Sequence, residues 1–168
     1  MSDQDQRIRR LEDRAELQDL VVRYFLAADD DDYPALGETF ARESTFTAGG
    51  FEGGKSRAEI VEFIRADRRN MGPTIHTYNY SLFSFKDDDH ASGVVGAHLE
   101  LSRGGSSLYG AVRYVDDYVR EDGRWRIRNR NMLAIHVGPW EQVATSLTSE
   151  LRVRWPGAAP QKADLPKA

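Results

Sequence analysis

Apolar residues recur at helical period in the first part of the chain. Leu17, Leu20, Val21, Tyr24, Phe25 and Ala28 fall at i, i+3, i+4, i+7, i+8 and i+11. That spacing predicts an amphipathic helix with one inward stripe, running out at the four aspartates Asp29–Asp32. A short second helix is expected next, with Asp32 as N-cap, Pro34 in its first turn, and Leu36 and Phe40 facing inward. Residues 45–54 read as a short strand and a glycine-rich loop. A third helix opens at Ser56, where Glu59 completes a capping box, and Ile60, Phe63 and Ile64 give it an apolar face. From Thr74 the pattern changes to strands, about 74–85, 91–101, 108–120 and 124–136, broken by the turns KDDD, RGGSS and EDG. An amphipathic segment at 140–155 follows, and 156–168 reads as a flexible tail. Helices first and a meandering antiparallel sheet afterwards make this an α+β chain with one domain, residues 1–155. A sheet curling around the helices leaves a pocket lined by both.

Composition narrows the function without naming it. The chain has 168 residues, 40% of them hydrophobic, and a formal net charge of -4. That is enough apolar material for one core, and it builds no basic face for nucleic acid or anionic lipid. There is no cysteine, which removes disulfides, thiolate metal sites and a cysteine nucleophile. The N-terminal stretch is too polar for a signal peptide, and no apolar run approaches the ~20 residues of a membrane span. The expectation is a cytoplasmic protein with neither a nucleic-acid nor a membrane partner.

Four histidines are available. His90 lies in a polar turn and reads as solvated, and His136, where the last strand ends, reads as structural. His98 alternates with the apolar Val95, Ala97 and Leu99, so it points to the opposite sheet face, which is either solvent or pocket. His76 opens a strand and shares its parity with Tyr78 and Tyr80. Among the aspartates, Asp29 continues the helix one step past Ala28, at the edge of the inward stripe. Asp30 and Asp31 head into the connection, and Asp32 is accounted for as a cap. A buried carboxylate needs a partner, and an imidazole is one that also moves protons; pattern alone leaves an Asp29–His76 pairing open. No nucleophile elbow, P-loop or dinucleotide fingerprint is present. No histidine–carboxylate spacing such as HExxH occurs either, so no metal and no cofactor are expected.

The order IRRLEDRAELQDLVVRYFLAADDDDYPAL, then TIHTYN, then YVDDYVREDGRWRI resembles the SnoaL-like branch of the nuclear-transport-factor-like superfamily. Within it, the chain is most similar to the scytalone dehydratase, hexachlorocyclohexane dehydrochlorinase and bile-acid dehydratase group, over roughly residues 5–140. The resemblance implies a cone-shaped α+β barrel with a deep apolar pocket, and several members form trimers. It aligns Asp29 and His76 with the group's catalytic aspartate and histidine, and Tyr24 with a tyrosine five residues before that aspartate in the bile-acid enzyme. It aligns Tyr114 with a hairpin tyrosine that polarises a substrate oxygen, and Arg130 with an arginine that helps a leaving group in some dehydrochlorinases. Strand parity from Trp125 and Ile127 instead turns Asn129 and Asn131 inward, unless a bulge intervenes. Where scytalone dehydratase has a tyrosine before its aspartate and a second histidine in a later strand, this chain has Ala28 and, near the second position, Ala111.

These readings converge on a cofactor-independent lyase, a dehydratase or related elimination enzyme acting on a hydrophobic cyclic small molecule. His76, oriented by Asp29, is the expected base, and Tyr24 is placed with the dyad as a donor. Leu20, Phe25, Phe40, Phe46 and Met132 supply an apolar lining, with Tyr114, Arg130, His98 and Asn131 as further substrate contacts. The alternatives are an isomerase or polyketide cyclase of the same fold, an epoxide hydrolase of the same fold, or a non-catalytic ligand-binding module. An exposed sheet face favours a homo-oligomer, dimer or trimer.

Overall fold

The computed structural model describes residues 2–166. Helix α1 spans Asp3–Asp29, with Ser2 and Asp5 forming a capping box at its start. Its inward stripe is Leu17, Leu20, Val21, Tyr24, Phe25, Ala27 and Ala28, all buried. Helix α2 (Tyr33–Thr39) follows a tight reversal and is capped by the Asp32 side chain, which accepts from the Ala35 N–H. Strands β1 (Phe40–Ala48) and β2 (Phe51–Gly54) lead into α3 (Arg57–Arg68). Ser56 caps α3, but the Glu59 carboxylate accepts from the Lys55 N–H instead of closing the expected box onto Ser56.

Four long strands complete the sheet: β3 (Met71–Phe85), β4 (His90–Arg103), β5 (Ser106–Glu121) and β6 (Arg124–Pro139). Each overruns its sequence-predicted bounds, because the turns between them are only as long as the hairpins need. Strand order is β2-β1-β6-β5-β4-β3. The sheet is mixed rather than purely antiparallel, since β1 runs parallel to β6 while its other neighbours alternate. It curves around α1 without closing on itself, with β2 and β3 as its free edges. The core lies between α1 and the concave face: Leu17, Val21, Leu36, Phe40, Val95 and Ile127 are wholly excluded from solvent.

Two bulges set which side chains of β6 face that core. Tyr118 pairs with Ile127 while Asp117 pairs with Asn129, so Arg128 is an extra residue in the ladder. A second irregularity pairs Ala111 with His136 and Val112 with Ala134. Each extra residue reverses the parity of everything after it.

Residues beyond 155, read from sequence as a tail, turn back along the end of β6. Arg154 N–H donates to Val137 O at 2.8 Å, Asp164 N–H to Ala134 O at 2.9 Å, and Val153 bridges to Gln161. Lys167 and Ala168 lie outside the described residues. After β6 come a single 3-10 turn (Trp140–Gln142) and a short helix α4 (Val143–Ser146). Among the described residues no helix is long and apolar enough to cross a membrane.

Candidate active site

Asp29 is the last residue of α1, and His76 sits on the concave face of β3, opposite Leu99 of β4. His76 Nδ1 lies 2.5 Å from Asp29 Oδ1, and the His76 backbone N–H donates to Asp29 Oδ2 at 2.8 Å. Both carboxylate oxygens are thereby engaged by one residue, which fixes the ring and its tautomer. Nδ1 carries the proton toward Asp29, and Nε2 presents its lone pair. Phe25 stacks on the imidazole with ring centres 4.8 Å apart and planes 13° from parallel. The remaining aspartates separate as their surroundings require. Asp31, at φ 56°, makes the reversal and binds Arg68 through two oxygens, whereas Asp30 is exposed.

A cavity of about 640 Å³ opens beside the dyad, within the range of small-molecule sites. Its walls are largely apolar, from Phe46, Phe63, Leu99, Leu101 and Met132, and Tyr24, Tyr114 and His76 contribute polar atoms. Tyr24 and Tyr114 are both buried, their ring centres 6.1 Å apart. Burial raises the Tyr24 phenol above its ordinary pKa, while the neighbouring Arg130 cation pulls the other way. Burial also drives the Tyr114 phenol well above the ordinary value, helped by Tyr24 and opposed by Arg130. Both phenols are therefore neutral hydrogen-bond donors at neutral pH.

Arg130 itself faces the concave side. The bulge at Arg128 overturns the simple parity expectation, so Arg130 and Met132 point inward and Asn129 and Asn131 outward. Asn131 is thus not a pocket residue; its amide oxygen accepts from Thr47 on the outer face at 2.8 Å, as Asn129 does from Thr45 at 2.9 Å. His98 is also on the outer face, beside Asn79 and the Tyr109 ring, because β4 keeps strict alternation from Val95 to Leu99. Phe25 and Phe40 are packed in the core behind the site rather than along the cavity wall, Phe40 against Tyr24 at 5.8 Å. Phe46 and Met132 do line the cavity, and Leu20 is core. Arg130 does not line it either; its guanidinium carbon lies 4.1 Å from the Tyr24 ring centre and 4.6 Å from that of Tyr114. No group of three or more His, Asp or Glu side chains placed to hold a metal ion occurs among the described residues.

Two parts of the site escaped the sequence reading. Asp116, directly across from Arg130, binds it through Nε and Nη2 at 3.0 and 2.7 Å. Its signal was present in the inward parity of Tyr114, Asp116 and Tyr118. The second is the stretch 153–164, from which Val153, Trp155, Lys162 and others wall the cavity mouth.

The SnoaL-like domain profile matches residues 9–131, which is most of the chain. The chain belongs to the SnoaL-like family. Among solved structures, this SnoaL-like protein is similar to the LinA-type3 hexachlorocyclohexane dehydrochlorinase of Novosphingobium barchaimii LL02, at 21% identity and TM-score 0.74 over 81% of this chain and 95% of that one. It is similar to a type 2 hexachlorocyclohexane dehydrochlorinase at 21% identity and TM-score 0.75, covering 90% and 99% of the two chains. A protein described as a candidate scytalone dehydratase from Novosphingobium aromaticivorans DSM 12444 matches at 14% identity and TM-score 0.73, covering 90% and 97%. At these identities the likeness establishes a shared fold, α+β with a curved, open sheet. A search of curated protein sequences returns no match.

Proposed function

We propose that this SnoaL-like protein is a cofactor-independent lyase that eliminates water or another small leaving group from a hydrophobic cyclic substrate. The observation that carries the reading is the Asp29–His76 contact at the wall of an apolar cavity. With Nδ1 committed to Asp29, Nε2 takes a proton from a substrate carbon. The C–H electron pair becomes the new double bond, and the leaving group departs with its own bonding electrons. Where that group is hydroxide, a phenol of Tyr24 or Tyr114 delivers the proton that makes it water, and the proton on His76 is returned to the phenolate or to solvent. Asp29 stays ionised beside the transient imidazolium, as an orienting carboxylate does in proton-transfer dyads. The names of the structural neighbours, dehydrochlorinase and dehydratase, favour elimination over isomerisation.

The test is a panel of alicyclic β-hydroxy ketones and chlorinated cyclohexanes, with products followed by mass. Loss of water or hydrogen chloride that disappears in His76→Gln, with the fold intact, is the expected result. Full turnover in His76→Gln would sink the base assignment, and products of unchanged mass would make the enzyme an isomerase or cyclase. We also propose that copies of the chain associate through the outer sheet face, where Tyr80, Leu82 and Val115 are exposed, which sedimentation of the purified protein checks.

A further inference from the structure

A wholly buried ion pair lies behind Tyr24 and Tyr114. Asp116 and Arg130 have no solvent-exposed side-chain surface and sit directly opposite each other on β5 and β6. Replacing a buried ion pair by well-packed apolar residues of similar volume is often neutral or stabilising, so a wholly buried pair is weak as a stability device. Its internal arrangement is one-sided. Asp116 accepts from Arg130 through both oxygens and also from the Tyr118 hydroxyl at 2.7 Å, so each of its oxygens is engaged. Arg130 spends Nε and Nη2 on that carboxylate, and its Nη1 has no hydrogen-bond partner. Both charges act on the two phenols of the cavity, but the guanidinium is the one seated over their rings, while the carboxylate is engaged by Arg130 and the Tyr118 hydroxyl.

We propose that Asp116 and Arg130 are positioning residues of this site: Asp116 locks Arg130 as a permanent cation behind Tyr24 and Tyr114, and the cation makes both phenols stronger donors to a developing negative charge on the substrate. This rests on the elimination reading, since it specifies how the leaving group is received. The physical basis is the geometry. A guanidinium within 4.6 Å of both ring centres stabilises electron density that builds on the phenol oxygens as their protons are drawn toward an anion. In a dry surround that interaction is unscreened. Arg130 acts through the rings, because it does not itself reach the cavity. Burial is the largest influence and works against the charge, but the Asp116 carboxylate, with Tyr24 and Tyr118, more than offsets it, so the guanidinium stays protonated. The arrangement also accounts for the bulge at Arg128, which puts Arg130 rather than a neighbour on the concave face.

The experiment uses p-nitrophenol as a probe, because its absorbance distinguishes the neutral phenol from the phenolate when bound. Wild-type protein should bind it as the phenolate at a pH where the free probe is mostly neutral. The Asp116→Leu/Arg130→Met double variant replaces the pair by apolar side chains of similar volume at the cost of the Tyr118 hydroxyl's acceptor, and circular dichroism on the same preparation verifies its fold. Its ionised fraction should fall by about tenfold or more, the effect of removing a nearby opposite charge. Asp116→Asn, which takes away the carboxylate that fixes the guanidinium behind the phenols, should lower the fraction in the same direction. A structural role alone predicts no change in bound-probe ionisation in any of these proteins. A double variant that ionises the probe as the wild type does, or a wild type that binds only the neutral form, overturns the proposal. His76→Gln separates the two ideas, because it removes the base but keeps the two phenols and the ion pair. Dependence of probe ionisation on Arg130 should survive in that background even if His76 proves not to be the base.

Discussion

Asp29 sits where a helix least favours a carboxylate. It is the last residue of α1, whose final turn carries no basic side chain, and the macrodipole places partial negative charge there. The two hydrogen bonds from His76 offset that cost, so the carboxylate is held in place by its partner rather than by the helix. The residue is thus in a position that stability alone would not select. Asp29→Asn should fold at least as well as the wild type, because it removes the unfavourable charge. Turnover should nevertheless fall by about 10²–10⁴-fold, since an amide can donate to Nδ1 and so hold the ring in the wrong tautomer. Circular dichroism and kcat measured on the same preparation check both halves. A variant that retains kcat would show the carboxylate to be structural. The helical stripe made Asp29 legible in the sequence, because i, i+3, i+4 spacing locates a face to within one residue. It could not show that Asp31 would turn back to bind Arg68, because Asp31 lies past the last periodic residue.

Among the elements, β6 shows where sequence reading stops. The run Arg128, Asn129, Arg130, Asn131 is polar at every position, so inserting one residue leaves no mark in the hydropathy pattern, yet it decides which side chain is buried. Trp125 and Ile127 are apolar and inward, as alternation predicts; beyond the bulge, only pairing with β5 determines the face. The same strand closes an outer-face row that includes His98, whose face alternation left open between solvent and pocket: Thr77, His98, Ala111 and His136 lie directly opposite one another across four strands. His136 is buried there with Nδ1 unpartnered, against Tyr109, and faces His98 and Arg152. Glu100 and Arg113 complete the charged groups on the neighbouring outer positions of β4 and β5. Burial, then His98, then Arg152 disfavour the imidazolium, so the folded-state pKa lies below the ordinary value of about 6.5. The sign follows from linkage. The unfolded chain binds the proton more readily, so the stabilisation is fully present above about pH 6.5 and is lost as pH falls through the lower folded-state value. Thermal unfolding followed from about pH 7 down to about pH 5 should show Tm declining more steeply for the wild type than for His136→Gln. Parallel slopes would mean that His136 does not carry the acid sensitivity.

For the molecule as a whole, the core and the cavity are held by different parts of the chain. The narrow end is closed by a polar cluster in which Asp13 of α1 receives hydrogen bonds from Arg120 and the Trp125 indole, and Arg120 lies over the Trp125 ring. The main core runs from there toward Phe46 and Leu101 and includes none of the residues after Trp155. The wide end depends on the C-terminal stretch, which extends the β6 wall beyond Ala134. Val153 joins a small cluster with Ala134 and Val137, and Trp155 packs on the main core with the Arg103 guanidinium 5.5 Å from its ring centre. Composition alone reads 156–168 as a tail, because glycine, proline and alanine carry no period; its described residues are ordered by backbone hydrogen bonds to β6, which no side-chain pattern announces. Ending the chain after Ser149 should therefore leave the fold and the Asp29–His76 contact in place and remove one wall of the cavity. Losing the contact of one large apolar side chain corresponds to about 1.5–3 kcal/mol. KM should then rise by about tenfold or more while kcat stays within a few-fold, given about 1.4 kcal/mol per tenfold in affinity. Tm should drop by about 2–4 °C for each kcal/mol of packing lost. Steady-state kinetics on the truncated and full chains decide the matter. A fall in kcat at constant KM would tie the stretch to the chemistry instead, and no change in either constant would leave it a cover that the substrate never meets.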